Sequence, residues 1–368
     1  MSSVKTTPTL SNDHEIEESN TIDHGGRIKE SPYPPASTTM ESLDRHKRQT
    51  RVLMGVFTIN GYFEKRQRSK VRTLFQVHPD ICTIEEAKAM AKAEHPTNDK
   101  YRKREACKLI YTFVFGGRFQ DQNATTKIFN STLVPTDKIL MSTKETLSKA
   151  EYTRDESPDD LTFLNIRENM EDGKSLTWFN YAVNYATKDI GEVDWVGKMD
   201  SDTMVYLDQF FEFYEKNLFP YPYNRNTICG KFLNKNSWNQ SMTNFLEKEE
   251  DWFHINMNDN HLYTAGELYL LSNDLAKSTI ATLNADEMLY ENYTHGIEDH
   301  DTSTIATIAA GGDTKSAINV KWITKKQQFW MHGVKRKFGL QQFRRYWNDE
   351  VTRIQNLLES KVLVDNKE

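Results

Sequence analysis

The chain has 368 residues, 37% of them hydrophobic and 27% charged, and a formal net charge of -6. That length can bury a substantial core and serves one large domain or two ordinary ones. With 47 Lys and Arg against 53 Asp and Glu no basic face stands out, which argues against a nucleic-acid partner, and apolar runs such as LIYTFVFGG at 109–117 fall well short of the ~20 residues of a membrane helix, so no membrane span is expected.

Residues 1–50 are rich in Ser, Thr, Pro, Glu and Asp, contain SPYPPAS at 31–37, and show almost no aliphatic periodicity. That is the composition of a disordered tail. It lacks the basic start, apolar stretch and cleavage site of a secretory signal, so the chain reads as soluble and uncleaved. The basic run from Arg45 to Arg51 closes the tail, as a solvated linker in preference to a targeting patch. From Arg51 onward short β-branched runs alternate with amphipathic stretches, the texture of an α/β domain. Strands are expected at 52–59, 109–115, 161–166, 193–199, 227–232 and 263–271. Helices are expected at 65–77, 84–94, 143–151, 174–188 and 205–217, where apolar residues recur every three to four positions. Strands alternating with helices imply a mainly parallel central sheet flanked by helices. The end, 346–368, is a charged C-terminal helix or tail. Cys82, Cys107 and Cys229 show no CxxC spacing, so neither a zinc site nor a disulfide framework is indicated. Sequons at Asn123, Asn130, Asn239 and Asn292 are about what chance supplies in such a chain.

Parallel sheets bind ligands beyond the carboxyl ends of their strands. The segment VDWVGKMDSD, ending at Asp202, has that layout: a buried strand, then carboxylates two apart on a turn. Asp200 and Asp202 can there hold an octahedral Mg2+ or Mn2+ alongside two phosphate oxygens. The spacing alone proves little, because 25 aspartates yield an Asp-x-Asp about once or twice by chance, and Asp299 and Asp301 form a second pair. An N-cap or loop carboxylate is the plainer reading of Asp200 on spacing alone. An EF-hand register is excluded, since Val205 and Phe211 stand where Gly and Glu are needed.

The neighbourhood of the pair lends it meaning. KRQRSKVRTLF at 65–75, FVFGG at 113–117, DDLTFLNIRENMEDGKSLTWF at 159–179, WVGKMDSDTMVYLDQF at 195–210, LYTAGELYLLS at 262–272 and GIEDHDTSTIA at 296–306 form an ordered series. That series resembles the β1,3-galactosyltransferase-like (Fringe-related) glycosyltransferases, family 31, over most of 52–335. Val71 and Arg72 stand in the family's Ile-Arg places and Phe75 in that of its tryptophan. Ser201 replaces the middle aspartate of the acidic motif, Glu267 stands where Gly is usual, and His300 where Val is usual.

The resemblance implies a GT-A type nucleotide-sugar-binding fold over 51–345. It also implies an inverting hexosyltransferase that moves a galactose or N-acetylglucosamine type sugar from a UDP-sugar donor to a hydroxyl of a glycan or glycoprotein acceptor. Asp202 is then the direct ligand of Mn2+ (or Mg2+), with Asp200 at the ribose or acting through water and Ser201 beside the donor. Inversion needs a base across the sugar, and Asp299 is the candidate; its plainer reading is a helix-start acid. Arg72 and Lys198 are candidates for uridine or phosphate, each with surface charge as the alternative. His332, in QQFWMHGVKRKFG, suits Mn2+, although a lone His beside Trp330 and Met331 is more often packed in a core. Trp178, Trp238 and Trp252 can stack on sugars, but core packing is the commoner use of Trp. Relatives of this kind sit in the Golgi behind a membrane anchor that the sequence does not show. The alternatives are a catalytically silent sugar-binding relative and a metal-dependent hydrolase or nucleotidyl enzyme on another α/β fold. The silent relative is disfavoured by the presence of both acidic blocks, and the hydrolase by the lack of any HxH or HExxH.

Overall fold

The computed structural model describes residues 49–59, 62–92, 107–117, 158–167, 173–234, 252–255, 257, 262–286, 288–289, 292, 297–311, 318–324, 327–332, 345 and 347–356. Nearly all of the N-terminal tail, the helix expected at 143–151, Trp238 and the last twelve residues lie outside them.

A nine-stranded sheet forms the centre, in the order β2 (Ile81–Thr83), β3 (Leu109–Gly117), β1 (Val52–Phe57), β5 (Trp195–Asp200), β9 (Leu262–Ser272), β7 (Thr227–Asn234), β10 (Ile318–Trp322) and β8 (Trp252–Ile255). β4 (Leu161–Arg167) pairs with the second half of β3, on the edge whose first half takes β2. The pairs β1–β3, β1–β5, β2–β3, β3–β4 and β7–β10 are parallel. β9 runs antiparallel to both its neighbours, and β8 to β10. The expected mainly parallel sheet with helices on its faces is what the chain forms.

β1 reads VLMGVF and is buried along its whole length, as a strand covered on both faces should be. Its side chains alternate between two cores. Val52, Met54 and Val56 face one, with Val71 and Leu74 of α1 (Tyr62–Gln76) and Phe210 and Tyr214 of α5 (Leu207–Asn217). Leu53 and Phe57 face the other. That second layer holds Ala87 of α2 (Ile84–Lys92) and Phe179 of α3 (Lys174–Tyr181), which continues through a π-helical turn (Ala182–Ala186) into α4 (Thr187–Ile190). It also holds Leu275 of α6 (Asn273–Ala285) and Ala306 of α7 (Glu298–Gly311). Trp178 is fully buried here and its indole donates to the Gly197 carbonyl at 2.9 Å, so it serves the core and not a sugar face. It lies so close to β1 that a Cβ on Gly55 would come within 2.5 Å of its ring.

Two features depart from expectation, and the described part of the C-terminal segment is helical. Cys82 and Cys107 form a disulfide, Cα–Cα 5.6 Å, across 25 positions; strand pairing beside β3 brings them together, and no short spacing motif announces it. Residues 347–356 form a helix, α8, that packs on the domain: Trp347 and Ile354 are buried, Glu350 accepts from the Leu207 amide, and Arg353 pairs with Asp208 and Glu350. Finally, β6 (Met204–Val205) and β11 (Trp330–Met331) form a small antiparallel ribbon, too short to leave a periodic trace.

Candidate active site

β5 pairs with β1 so that Asp200 stands level with Phe57, at the carboxyl end of both strands. Lys198, two residues earlier on the same face, is 4% exposed. Its ammonium lies 5.2 Å from the centre of the Phe57 ring and 5.9 Å from that of Tyr269. Burying a charge there is tolerable only with close partners, and three carboxylates provide them: Asp299 at 3.0 Å, Asp200 at 3.5 Å and Glu298 at 3.8 Å. Burial opposes the charge on Lys198, but Asp200, Glu298 and Asp299 outweigh it and hold the ammonium well above its ordinary range.

The surplus of negative charge shows on the acids. Burial raises the Asp200 carboxyl to about 7, with Lys198 pulling down and Asp299, Asp202 and Glu298 pushing up. Burial likewise raises Glu298, whose Oε1 has no hydrogen-bond partner among the described residues. Such a cluster is built to receive a cation or a proton.

Asp299 lies in the first turn of α7, where a carboxylate also complements the helix N-terminus. α7 is sewn to β9: Ser303 Oγ donates to the Asp299 carbonyl at 2.8 Å and accepts from the Thr264 amide at 3.1 Å. While Oδ1 of Asp299 meets Lys198, Oδ2 rests on Gly266, where an added Cβ would lie 1.9 Å from it. Glycine is required there for space.

On the other flank the chain turns at Ser201 and Asp202. The Ser201 amide donates to the Phe57 carbonyl at 2.9 Å and its hydroxyl meets Gln67 at 3.4 Å, so Ser201 ties the turn to β1 and α1. The β6–β11 ribbon then returns His332 to Asp202, with Nδ1 3.5 Å from Oδ1. One ligand atom each from Asp200, Asp202 and His332 lies within 4.8 Å of the others. Two carboxylates and an imidazole are donors that suit Mn2+, and the carboxylates also suit Mg2+.

Asp200, Asp202, Lys198, Asp299 and His332 are thus brought together, although four elements supply them. Arg72 is not joined to them: its guanidinium is forked onto Asp160 and lies 5.0 Å from the centre of the Phe113 ring. Arg68, one turn earlier, reaches the exit of β1 instead, donating to Thr58 Oγ1 at 3.0 Å and the Ile59 carbonyl at 2.9 Å. Lys174 donates to the Thr58 carbonyl at 2.9 Å. Sequence reasoning passed over Arg68, Lys174, Glu298 and Gly266. Only the Glu298–Asp299 doublet and the basic density of KRQRSKVR carried any signal of them.

Residues 152–299 match the family model described as galactosyltransferase. The match takes in β4, the Lys198–Asp202 block, β9 and Asp299, and ends before His332. No curated protein matches the chain. Among solved structures, the crystal structure of mannose-1-phosphate geranyltransferase from Thermus thermophilus aligns over 75% of this chain and 74% of that chain, at 10% identity and a TM-score of 0.26. That likeness is too slight to bear on fold or function.

Proposed function

We propose an inverting, metal-dependent transfer of a hexose, a reading supported by the galactosyltransferase family match over residues 152–299 and by a helix-flanked, mostly parallel sheet of the kind a GT-A glycosyltransferase has. The donor is a UDP-sugar and the acceptor a hydroxyl of a glycan or glycoprotein. The observation that carries this reading is the shared ammonium of Lys198. It stands 3.5 Å from Asp200 on the metal-binding flank and 3.0 Å from Asp299 on the other, so the two acidic blocks serve one site.

Asp200, Asp202 and His332 would hold Mn2+ or Mg2+, which neutralises the charge that develops on the departing diphosphate. Ser201 fixes the turn that presents the two aspartates. Arg68 and Lys174, both buried, tie α1 and α3 to the exit of β1, while Arg72, forked onto Asp160, supports α1. Asp299 accepts the proton of the acceptor hydroxyl as the new bond from that oxygen to the sugar carbon forms and the bond to phosphate breaks, its electron pair leaving with UDP. Lys198 fixes Asp299 through Oδ1 and leaves Oδ2 for that proton. The Cys82–Cys107 disulfide accords with an oxidising lumen, which supports a Golgi location. No helix among the described residues is long and apolar enough to cross a membrane.

Thermal melting with UDP and Mn2+, separately and together, tests the metal half of this reading. The pair should raise the melting temperature of the wild type more than either alone, because binding to the folded state stabilises it. Asp202→Asn should lose that joint effect. Equal responses of the wild type and Asp202→Asn would remove Asp202 from the metal site.

A further inference from the structure

Behind the metal flank a short chain of hydrogen bonds runs from β9 through the buried Thr203 to His332, and the transfer chemistry does not itself use Thr203 or Glu267. Thr203, fully buried, places Oγ1 3.1 Å from the main-chain oxygen of Glu267 and 3.0 Å from Nδ1 of His332. A hydroxyl has one proton to give. A carbonyl oxygen can only accept, so that proton belongs to Glu267, and Oγ1 must accept from His332. The opposite assignment would leave the Thr203 and Glu267 oxygens facing each other with no proton between them. Asp202 Oδ1, 3.5 Å from the same ring nitrogen, also favours an N–H at Nδ1. An imidazole protonated on Nδ1 carries its lone pair on Nε2, and a hydrogen bond to the outer nitrogen is how proteins fix a metal-ligating histidine.

Glu267 takes part twice. Its carbonyl orders the Thr203 proton, while its carboxylate accepts from the Trp330 indole at 2.8 Å and meets Lys231 at 3.3 Å. Trp330 is in β11, two residues before His332, so this one side chain of β9 holds the strand that delivers the imidazole. Glu267 is also the position where the resembled family usually has glycine, and a glycine could not make the link to Trp330.

We propose that Thr203 and Glu267 are positioning residues that fix His332 in its Nδ1-protonated form with Nε2 directed to a divalent cation. The proposal rests on the reading of Asp200, Asp202 and His332 as the metal site. In the metal-free protein, the long-range proton–nitrogen spectrum of His332, identified by its loss in His332→Ala, should show the proton on Nδ1. Thr203→Val should shift that signature and Thr203→Ser restore it, a response that a purely structural role of Thr203 would not produce. Mn2+ titration followed by paramagnetic resonance should show Thr203→Ser close to wild type and Thr203→Val weaker by about 10–100-fold. Adding Thr203→Val to His332→Ala should cost nothing further. A wild-type ring unprotonated at Nδ1, wild-type Mn2+ affinity in Thr203→Val, or additive losses in the double variant would each overturn the proposal while leaving the metal site intact. His332→Ala binding Mn2+ as tightly as the wild type would overturn it differently, by removing His332 from the metal reading.

Discussion

A carboxylate that takes a proton from a sugar hydroxyl needs one oxygen held and one presented. In the proposed reaction Lys198 holds Oδ1 of Asp299, and the missing side chain of Gly266 leaves the room that Oδ2 occupies. Gly266→Ala would drive a methyl into Oδ2 and displace the carboxylate. We expect it to lower kcat by at least 10-fold with UDP and Mn2+ affinity retained, since a 1 Å misplacement of a reacting group is enough for such a loss; a steady-state rate beside a UDP titration checks this. Asp200 supplies a second prediction. Its ordinary pKa of 3.8 is raised to about 7 by burial. Below 3.8 the carboxyl is protonated folded or unfolded and adds nothing. Between there and about 7 the unfolded chain ionises while the folded protein keeps its proton, so rising pH penalises folding, and above 7 the penalty is constant. Metal-free wild type should therefore lose stability relative to Asp200→Asn as pH rises from 4 to 7, as read by denaturant midpoints; parallel profiles would contradict the assignment. Asp200, Asp202 and Lys198 were legible in the sequence because one strand and its turn carry all three. Glu298 and Gly266 were not, since each owes its part to a contact made across elements far apart in the chain, and Arg68 was not, since nothing in the basic run of α1 tells which of its side chains turns back to the exit of β1.

Among the elements, the long strands and the helices α1, α2, α3 and α5 follow from apolar periodicity. α7 left no such trace because Asp301–Ile308 is buried throughout, so no single apolar stripe marks one face. β10 was hidden for another reason: INVKW carries Asn319 and Lys321 inside a wholly buried strand, which breaks the apolar run that a central strand normally shows. β6 and β11, two residues each, have no period at all, yet they bring His332 to Asp202. His332 was nameable from the chemistry of imidazole; the ribbon that places it was not. α8 reads as a charged segment because its core-facing residues, Trp347, Val351 and Ile354, are few, while Arg353 and Glu350 engage α5.

For the whole molecule, the division of labour follows the direction of the strands. The parallel strands β1 and β5 end together on one side of the sheet, the side proposed to receive the donor. The antiparallel strand β9 returns past that opening with Gly266 and Glu267, and α7 brings Asp299 down upon it. Sequence patterning implied the parallel part. It did not imply β9 as the antiparallel insertion that joins the base to the metal flank, because neighbours within a sheet are chosen by packing between segments that periodicity treats separately. The central claim, one site with Asp202 at the metal and Asp299 at the proton, is tested most directly by hexose transfer from UDP-sugars in Asp299→Asn beside wild type, with Mn2+ present and UDP binding measured on the same samples. The account predicts unchanged UDP binding and a loss of turnover of about 10²-fold or more, the scale of a missing general base. Turnover equal to wild type would contradict it.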